Sequence, residues 1–191
     1  MRGAATRDAA PFSDGPLPDL LGPNVRLLFV GVNPGLTAVA TRAPFAGRGN
    51  RFYRALHLAG IIDHAISPSG GLDRADREHL LAIGIGITSL VARPTASAVE
   101  LRTAELVAGA ASLSRLVARV KPRVVAILGI TAYRVAFGRR GARVGLQPSD
   151  LGGAQLWVVP NPSGRNAHSS VTSLAAAYRE AAVAAGLTVS L

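Results

Sequence analysis

Apolar and polar positions fall into blocks along the chain. Val25 to Val32 (VRLLFVGV) is an almost continuous apolar run that ends beside a glycine. So short a run without alternation predicts a strand buried on both faces, as parallel strands are. Gly86 to Val91 (GITSLV), Arg123 to Leu128 (RVVAIL) and Gln155 to Pro160 (QLWVVP) repeat the pattern. Between them apolar residues recur every three or four positions. That spacing predicts helices over Asn50–Ala59, Asp73–Ile83, Val99–Val120, Thr131–Phe137 (with Thr131 as N-cap) and Ser170–Ala185, the last ending at Gly186. Asn33 to Gly49 reads as one long loop. Residues 1–24, rich in Pro, Gly and Asp and without periodicity, read as a partly flexible N-terminal arm ahead of one domain over 25–191. Strands alternating with helices predict an α/β fold: a single-domain, three-layer αβα sandwich around a short, mainly parallel four-stranded sheet.

Composition narrows the chemistry. The 191 residues contain no cysteine, which removes disulfides, thiol nucleophiles, Cys-ligated clusters and Cys zinc sites. This fits a cytoplasmic protein, and no apolar run is long enough for a membrane span. The four histidines (His57, His64, His79 and His168) are scattered in sequence without metal-ligand spacing, so neither a metal nor a cofactor is expected. His57 reads as helix surface, and Asp73, Asp76 and Glu78 as a solvated helix face. Lys121 is the one lysine, in a helix-end setting, so a lysine Schiff base has a single candidate.

The net charge is +10 and unevenly spread. Leu20 to Ile62 holds five arginines and no acid, and Leu106 to Ser149 holds eight basic residues and no acid; Asp63 to Glu105 between them holds six acids and four arginines. Two basic segments suggest a basic face for a polyanion, although charge alone fits general solubility equally. Arg48, Arg51, Arg54 and His168 are candidate phosphate contacts.

Two loops lie where strands end, the usual place for ligands in such sheets. In Gly31-Val32-Asn33-Pro34-Gly35, Pro34 biases Asn33 to an extended backbone and so aims its side chain. An amide is uncharged at any working pH and carries both a donor and an acceptor, so it can hold and orient a water. A turn asparagine bonding local backbone is the plainer alternative. In Pro160-Asn161-Pro162-Ser163-Gly164-Arg165 the prolines stiffen a tip with a small hydroxyl and open backbone N–H groups. Such a tip can clamp a phosphate, enter a base stack, or simply join a strand to a helix.

The pair GVNPG…PNPSG, in this order and at strand ends, resembles the mismatch-specific uracil/thymine DNA glycosylase family of the uracil-DNA glycosylase superfamily. The resemblance runs from about Val25 to Gly186. It takes in GVNPGLTAVATRAPFAGRGNRFYR (Gly31–Arg54), GITSLVARPT (Gly86–Thr95), ILGITAY (Ile127–Tyr133) and WVVPNPSG (Trp157–Gly164). It implies a uracil-DNA glycosylase-like fold and, as partner, double-stranded DNA with a mismatched or damaged base. It implies that Asn33 positions the attacking water, that Phe45 stacks on a flipped base, and that the backbone of Val32 and Phe45 bonds the base edge. Gly35 stands where strict uracil enzymes carry a Tyr that rejects a 5-methyl group, so thymine or bulkier cytosine adducts fit the expected pocket. Asn161, Pro162, Ser163, Gly164 and Arg165 would enter the minor groove and meet the orphaned base. Two positions depart from the pattern: Ser89 replaces a Lys found in some members, and Arg165 stands where Leu is frequent.

The resulting expectation is a monofunctional, monomeric glycosylase acting on uracil opposite guanine. The alternatives are a non-catalytic nucleic-acid-binding module, a glycosylase for deaminated purines, and a small-molecule nucleotide enzyme. Against the last, the first strand is followed by neither a Walker A sequence nor GxGxxG.

Overall fold

The computed structural model describes residues 17–190. The elements in chain order are β1 (Leu27–Gly31), α1 (Leu36–Thr41), α2 (Phe52–Leu58), α3 (Arg74–Ala82), β2 (Ile85–Ser89), α4 (Thr103–Val120), β3 (Val124–Leu128), α5 (Ile130–Ala136), β4 (Gly145–Leu146), β5 (Gln155–Val159) and α6 (Val171–Ala184). A 3₁₀ turn over Ala98–Glu100 precedes α4.

The sheet order is β2-β1-β3-β5-β4. The first four strands are parallel and β4 pairs antiparallel with β5. Alternate residues of a strand face opposite sides, so one apolar strand supplies two cores. Leu27 and Phe29 face α2 and α6 with Phe52, Leu56, Leu174 and Tyr178; Leu28 and Val30 face α4 and α5 with Leu106, Leu113, Val117 and Tyr133. The predicted three-layer sandwich therefore stands.

Three expectations need correction. Among the described residues the sheet has five strands; the fifth, β4, has two residues, too few to show any periodicity. A helix, α1, lies inside the stretch read as loop, with Gly35 as its N-cap. Thr131 does not cap α5: the N-cap is Gly129, whose φ of 132° lets the chain leave β3 and enter the helix at once.

The end of the expected arm is docked where it is described. Leu20 exchanges both backbone hydrogen bonds with Ile87 (2.9 and 2.8 Å), extending the β2 edge, and the Asp19 carboxylate accepts from Thr88 Oγ1 at 2.6 Å. The rest of the expected arm, residues 1–16, lies outside the described residues.

Because β2, β1, β3 and β5 share one direction, the loops that leave them collect at a single end of the sheet. Lys121, the left-handed C-cap of α4, stands just before β3 and hence at the opposite end.

Candidate active site

Backbone pairing between β1 and β2 continues past both strands. Leu90 N bonds Gly31 O, Val91 N bonds Val32 O, and Thr95 N bonds Pro34 O at 2.9, 3.0 and 3.2 Å. This zipper brings Thr95 against Asn33, 62 residues earlier in the chain. Asn33 Nδ2 donates to Thr95 Oγ1 (2.7 Å), to the Arg93 carbonyl (3.0 Å) and to its neighbour's carbonyl on Pro34 (3.3 Å). Thr95 is buried, and its own hydroxyl hydrogen goes to the Ser97 carbonyl at 2.8 Å. A hydroxyl already donating elsewhere must accept from Asn33, and carbonyls can only accept. The amide is thereby fixed with its nitrogen toward this loop, and among the described residues no protein donor reaches Oδ1.

The receiving loop is itself braced. Arg93 forms a two-pronged ion pair with Glu105 (2.7 and 3.0 Å) and also donates to the Glu100 carbonyl. Glu105 lies in the first turn of α4 and accepts from Arg102 N at 2.9 Å. The Arg93 guanidinium, then that backbone N–H, hold its carboxyl down at about 2 instead of the usual 4.5. Thr95, Arg93 and Glu105 were not singled out in the sequence. The ARPT segment was visible there, but nothing in a linear reading says which distant side chain it holds.

Phe45 adopts the left-handed conformation with φ of 60°, a strain of about 1–3 kcal/mol for a bulky residue. Its neighbours enforce it. Tyr53 donates to the Pro44 carbonyl at 3.0 Å, and Phe52 backs the Phe45 ring at 4.1 Å and 31°. Phe52 is fully buried and meets Phe29 edge-on, so the Phe45 ring rests on the core. A Cβ on Gly31 would come within 3.3 Å of that ring and 3.6 Å of Ser89 Oγ. Gly31, Phe45 and Ser89 thus meet at one spot, with half-buried Val32 next in the chain. A Cβ on Gly35 would meet no atom within 4 Å.

The second loop is folded around an arginine. Arg51 Nε and its two Nη groups donate to the carbonyls of Pro162, Ser163, Asn166 and Ser169. Arg51 N also bonds Pro162 O at 3.0 Å. Arg51 is therefore an internal clamp rather than the phosphate contact expected from the sequence, since its donors point into the protein. Asn161 Oδ1 accepts from Ser163 N at 2.9 Å, a local turn. Asn166, another residue not anticipated, donates to the Asn161 carbonyl and to Ser169 Oγ. Tyr178, in the core, donates to the Pro160 carbonyl at 3.1 Å. Gly164 touches the first loop so closely that a Cβ there would lie 2.9 Å from the Gly49 carbonyl oxygen. Pro162 is buried, while Gly164, Arg165, His168, Arg48 and Arg54 are exposed.

Two features lie apart from these loops. A cleft of about 470 Å³ between α5 and the β4 edge is lined by Tyr133, Arg139, Arg143 and Gln147 and includes neither Asn33 nor Phe45. On the opposite side of the sheet order, His64 and His79 meet beside Asp63, which corrects the reading of four scattered histidines.

The fold and its paired loops place this protein among α/β proteins whose sites form beyond the carboxyl ends of parallel strands. More particularly, the chain belongs to the uracil DNA glycosylase superfamily, whose family model matches residues 18–184. Its fold resembles the solution structure of a Methanosarcina acetivorans protein provisionally described as a uracil DNA glycosylase. The TM-score is 0.55 and the identity 19%, over 87% of this chain and 96% of that one.

Proposed function

We propose that this protein is a monofunctional DNA glycosylase that draws uracil out of a G·U pair in double-stranded DNA and hydrolyses its N-glycosidic bond, starting base excision repair. The observation that carries this reading is the fixed Asn33 amide, whose Nδ2 is tied down by Thr95 and Arg93 and whose Oδ1 meets no donor among the described residues. Such an oxygen accepts a hydrogen bond from one water and aims that water's lone pair. The water oxygen bonds to sugar C1′ as the C1′–N1 bond breaks; the base leaves with the bonding pair, and the water's spare proton ends on solvent or base. The sugar passes through an oxocarbenium-like state, which the phosphates of the DNA itself stabilise. With an amide and no carboxylate, orientation rather than base catalysis carries the step, and a modest rate follows.

Phe45 would stack on the extruded base, and its support on Phe52 and the core favours a platform that does not move when a base arrives. Ser89 would lie at the base edge, and the open space at Gly35 would admit a 5-methyl group or a bulkier cytosine adduct. The clamped loop from Asn161 to Arg165 would fill the gap in the duplex and meet the orphaned guanine. Arg48 and His168 remain candidates for phosphate contacts. The single lysine at the far end of the sheet supports hydrolysis without a covalent amine intermediate.

The test is incubation with duplexes holding one G·U, A·U, G·T or G·ethenocytosine pair, followed by alkaline cleavage of abasic sites, beside Asn33→Ala. Strand breaks at G·U that disappear in the variant support the reading. Duplex binding with no breaks at any pair overturns it in favour of a binding module. Borohydride trapping of a covalent adduct overturns the monofunctional assignment.

A further inference from the structure

The connection after α2 and helix α3 bring three metal-ligating side chains together, and the proposed glycosylase chemistry uses none of them. Ligand atoms of Asp63, His64 and His79 all lie within 4.8 Å of one another. His79 Nε2 is 3.4 Å from Asp63 Oδ1. It is also a buried polar atom without a hydrogen-bond partner, although its residue is only half-buried. His64 Nδ1 is 2.7 Å from the same Asp63 oxygen, and its other nitrogen, Nε2, is 2.8 Å from Asp76 Oδ1. The two imidazole rings have centroids 4.9 Å apart and planes tilted by 58°.

We propose that Asp63, His64 and His79 form a surface site for a divalent transition-metal cation of the zinc type, with Asp76 as the outer partner that orients His64. Two imidazole nitrogens and a carboxylate oxygen are a ligand set that zinc takes, with solvent in the fourth position. Bonds of about 2.0–2.1 Å in a tetrahedron put ligand atoms about 3.3 Å apart, and the His79–Asp63 separation already has that value. The His64–Asp63 pair is closer and must open by roughly half an ångström. Both side chains are exposed, so they can move. A carboxylate on the second nitrogen of a ligating histidine is the usual outer-shell arrangement, and Asp76 supplies it. Asp76 is in turn held in the first turn of α3, where its N–H bonds the Asp73 carboxylate at 2.8 Å. A cation here joins the 63–64 connection to α3.

The chain has no cysteine, and its other two histidines, His57 and His168, lie elsewhere on the surface. That makes the site separable by substitution. Chelator-stripped full-length protein is titrated with ZnCl₂ by calorimetry and melted with and without it; CoCl₂ serves as the optical probe. One saturable site per chain is expected, with a Tm rise of roughly 5 °C at a hundredfold excess over Kd and a visible tetrahedral Co²⁺ band. His79→Ala, His64→Ala and the conservative surface change Asp63→Asn should each abolish the band and the shift, while His57→Ala keeps both. Absence of saturable binding to the unaltered protein overturns the proposal. So does binding that survives in His79→Ala and Asp63→Asn, since it would locate the cation elsewhere. Glycosylase activity does not enter the readout, so the two proposals stand or fall separately.

Discussion

Asn33 Nδ2 lies 2.7 Å from Thr95 Oγ1, and the direction of that hydrogen bond is set by a third group, the Ser97 carbonyl that takes the threonine hydrogen. Asn33 is thus turned by a buried residue, Thr95, whose own hydroxyl is already committed. Thr95→Val keeps the shape and removes the acceptor. It should lower the single-turnover rate on G·U duplex about 10–100-fold and leave duplex affinity within about twofold, because a loosely held amide loses orientation and not binding. Thr95→Ser should restore most of the rate. Equal losses in rate and affinity for Thr95→Val would instead mean that the loop has collapsed.

Arg48 and Arg51 look alike in sequence and should behave differently. Arg48→Ala removes one exposed charge; if it meets a phosphate, the slope of log K against log salt falls by about 0.9. Arg51→Met removes the donors that hold Pro162, Ser163, Asn166 and Ser169. It should weaken base extrusion, read with a fluorescent base analogue beside the lesion, and leave the salt slope nearly unchanged. A slope change in Arg51→Met as large as in Arg48→Ala would return Arg51 to the phosphate contacts.

The proposed base pocket makes Gly35 the position for tuning substrate size. Its backbone is ordinary (φ −77°) and a Cβ would meet nothing, so Gly35→Tyr should fold with an unchanged melting temperature. It should retain release of uracil and lose release of thymine and ethenocytosine from the same duplex series. Loss of all three together would mean the ring blocks the site entirely.

Gly164 contrasts with Gly35. A Cβ there collides with the Gly49 carbonyl, a backbone atom that cannot rotate away. Gly164→Ala should therefore part the two loops at a cost of about 1–3 kcal/mol, seen in denaturant unfolding, and reduce duplex binding.

The Glu105 carboxyl, lowered to about 2 in the folded chain from an ordinary 4.5, predicts an acid dependence. A depressed acid contributes its stability above the unfolded value, and that contribution is lost as pH falls from about 4.5 through 2. Stability measured over that interval should decline less in Glu105→Gln than in the parent. At neutral pH the same variant, lacking the ion pair to Arg93, should be slower on G·U because the Arg93 carbonyl under Asn33 is less well held. Identical acid profiles for the two proteins would remove Glu105 from the account.

Much of the architecture could be read from the chain because burial leaves a direct mark on sequence. Strands covered on both faces must be apolar throughout, so β1, β2, β3 and β5 were visible to within a residue or two. The amphipathic faces of α2, α4 and α6 were visible for the same reason. The six residues of α1 and the two of β4 left too little pattern, and Gly129 rather than Thr131 caps α5: a glycine permits a positive φ without requiring one, so the helix start was not set by residue type alone. Within the candidate site, the Asn-Pro turn marked Asn33, and the Gly35 gap followed from the absence of a side chain.

Which residues hold Asn33, what Arg51 grips and where His79 points depend on contacts between segments about 15 to 118 residues apart. Arginine reads as surface charge in a sequence; only the folded loop, with four carbonyls turned inward, makes Arg51 a structural donor. Histidines with no ligand spacing become neighbours when α3 packs beside the connection that follows α2. Local pattern determined the elements, their order and the two strand-end loops, because hydrophobic burial and proline geometry act over a few residues. Hydrogen-bond direction, the left-handed Phe45 and the His64–His79 pairing were decided by the tertiary structure, because each requires a partner that chain order does not place nearby.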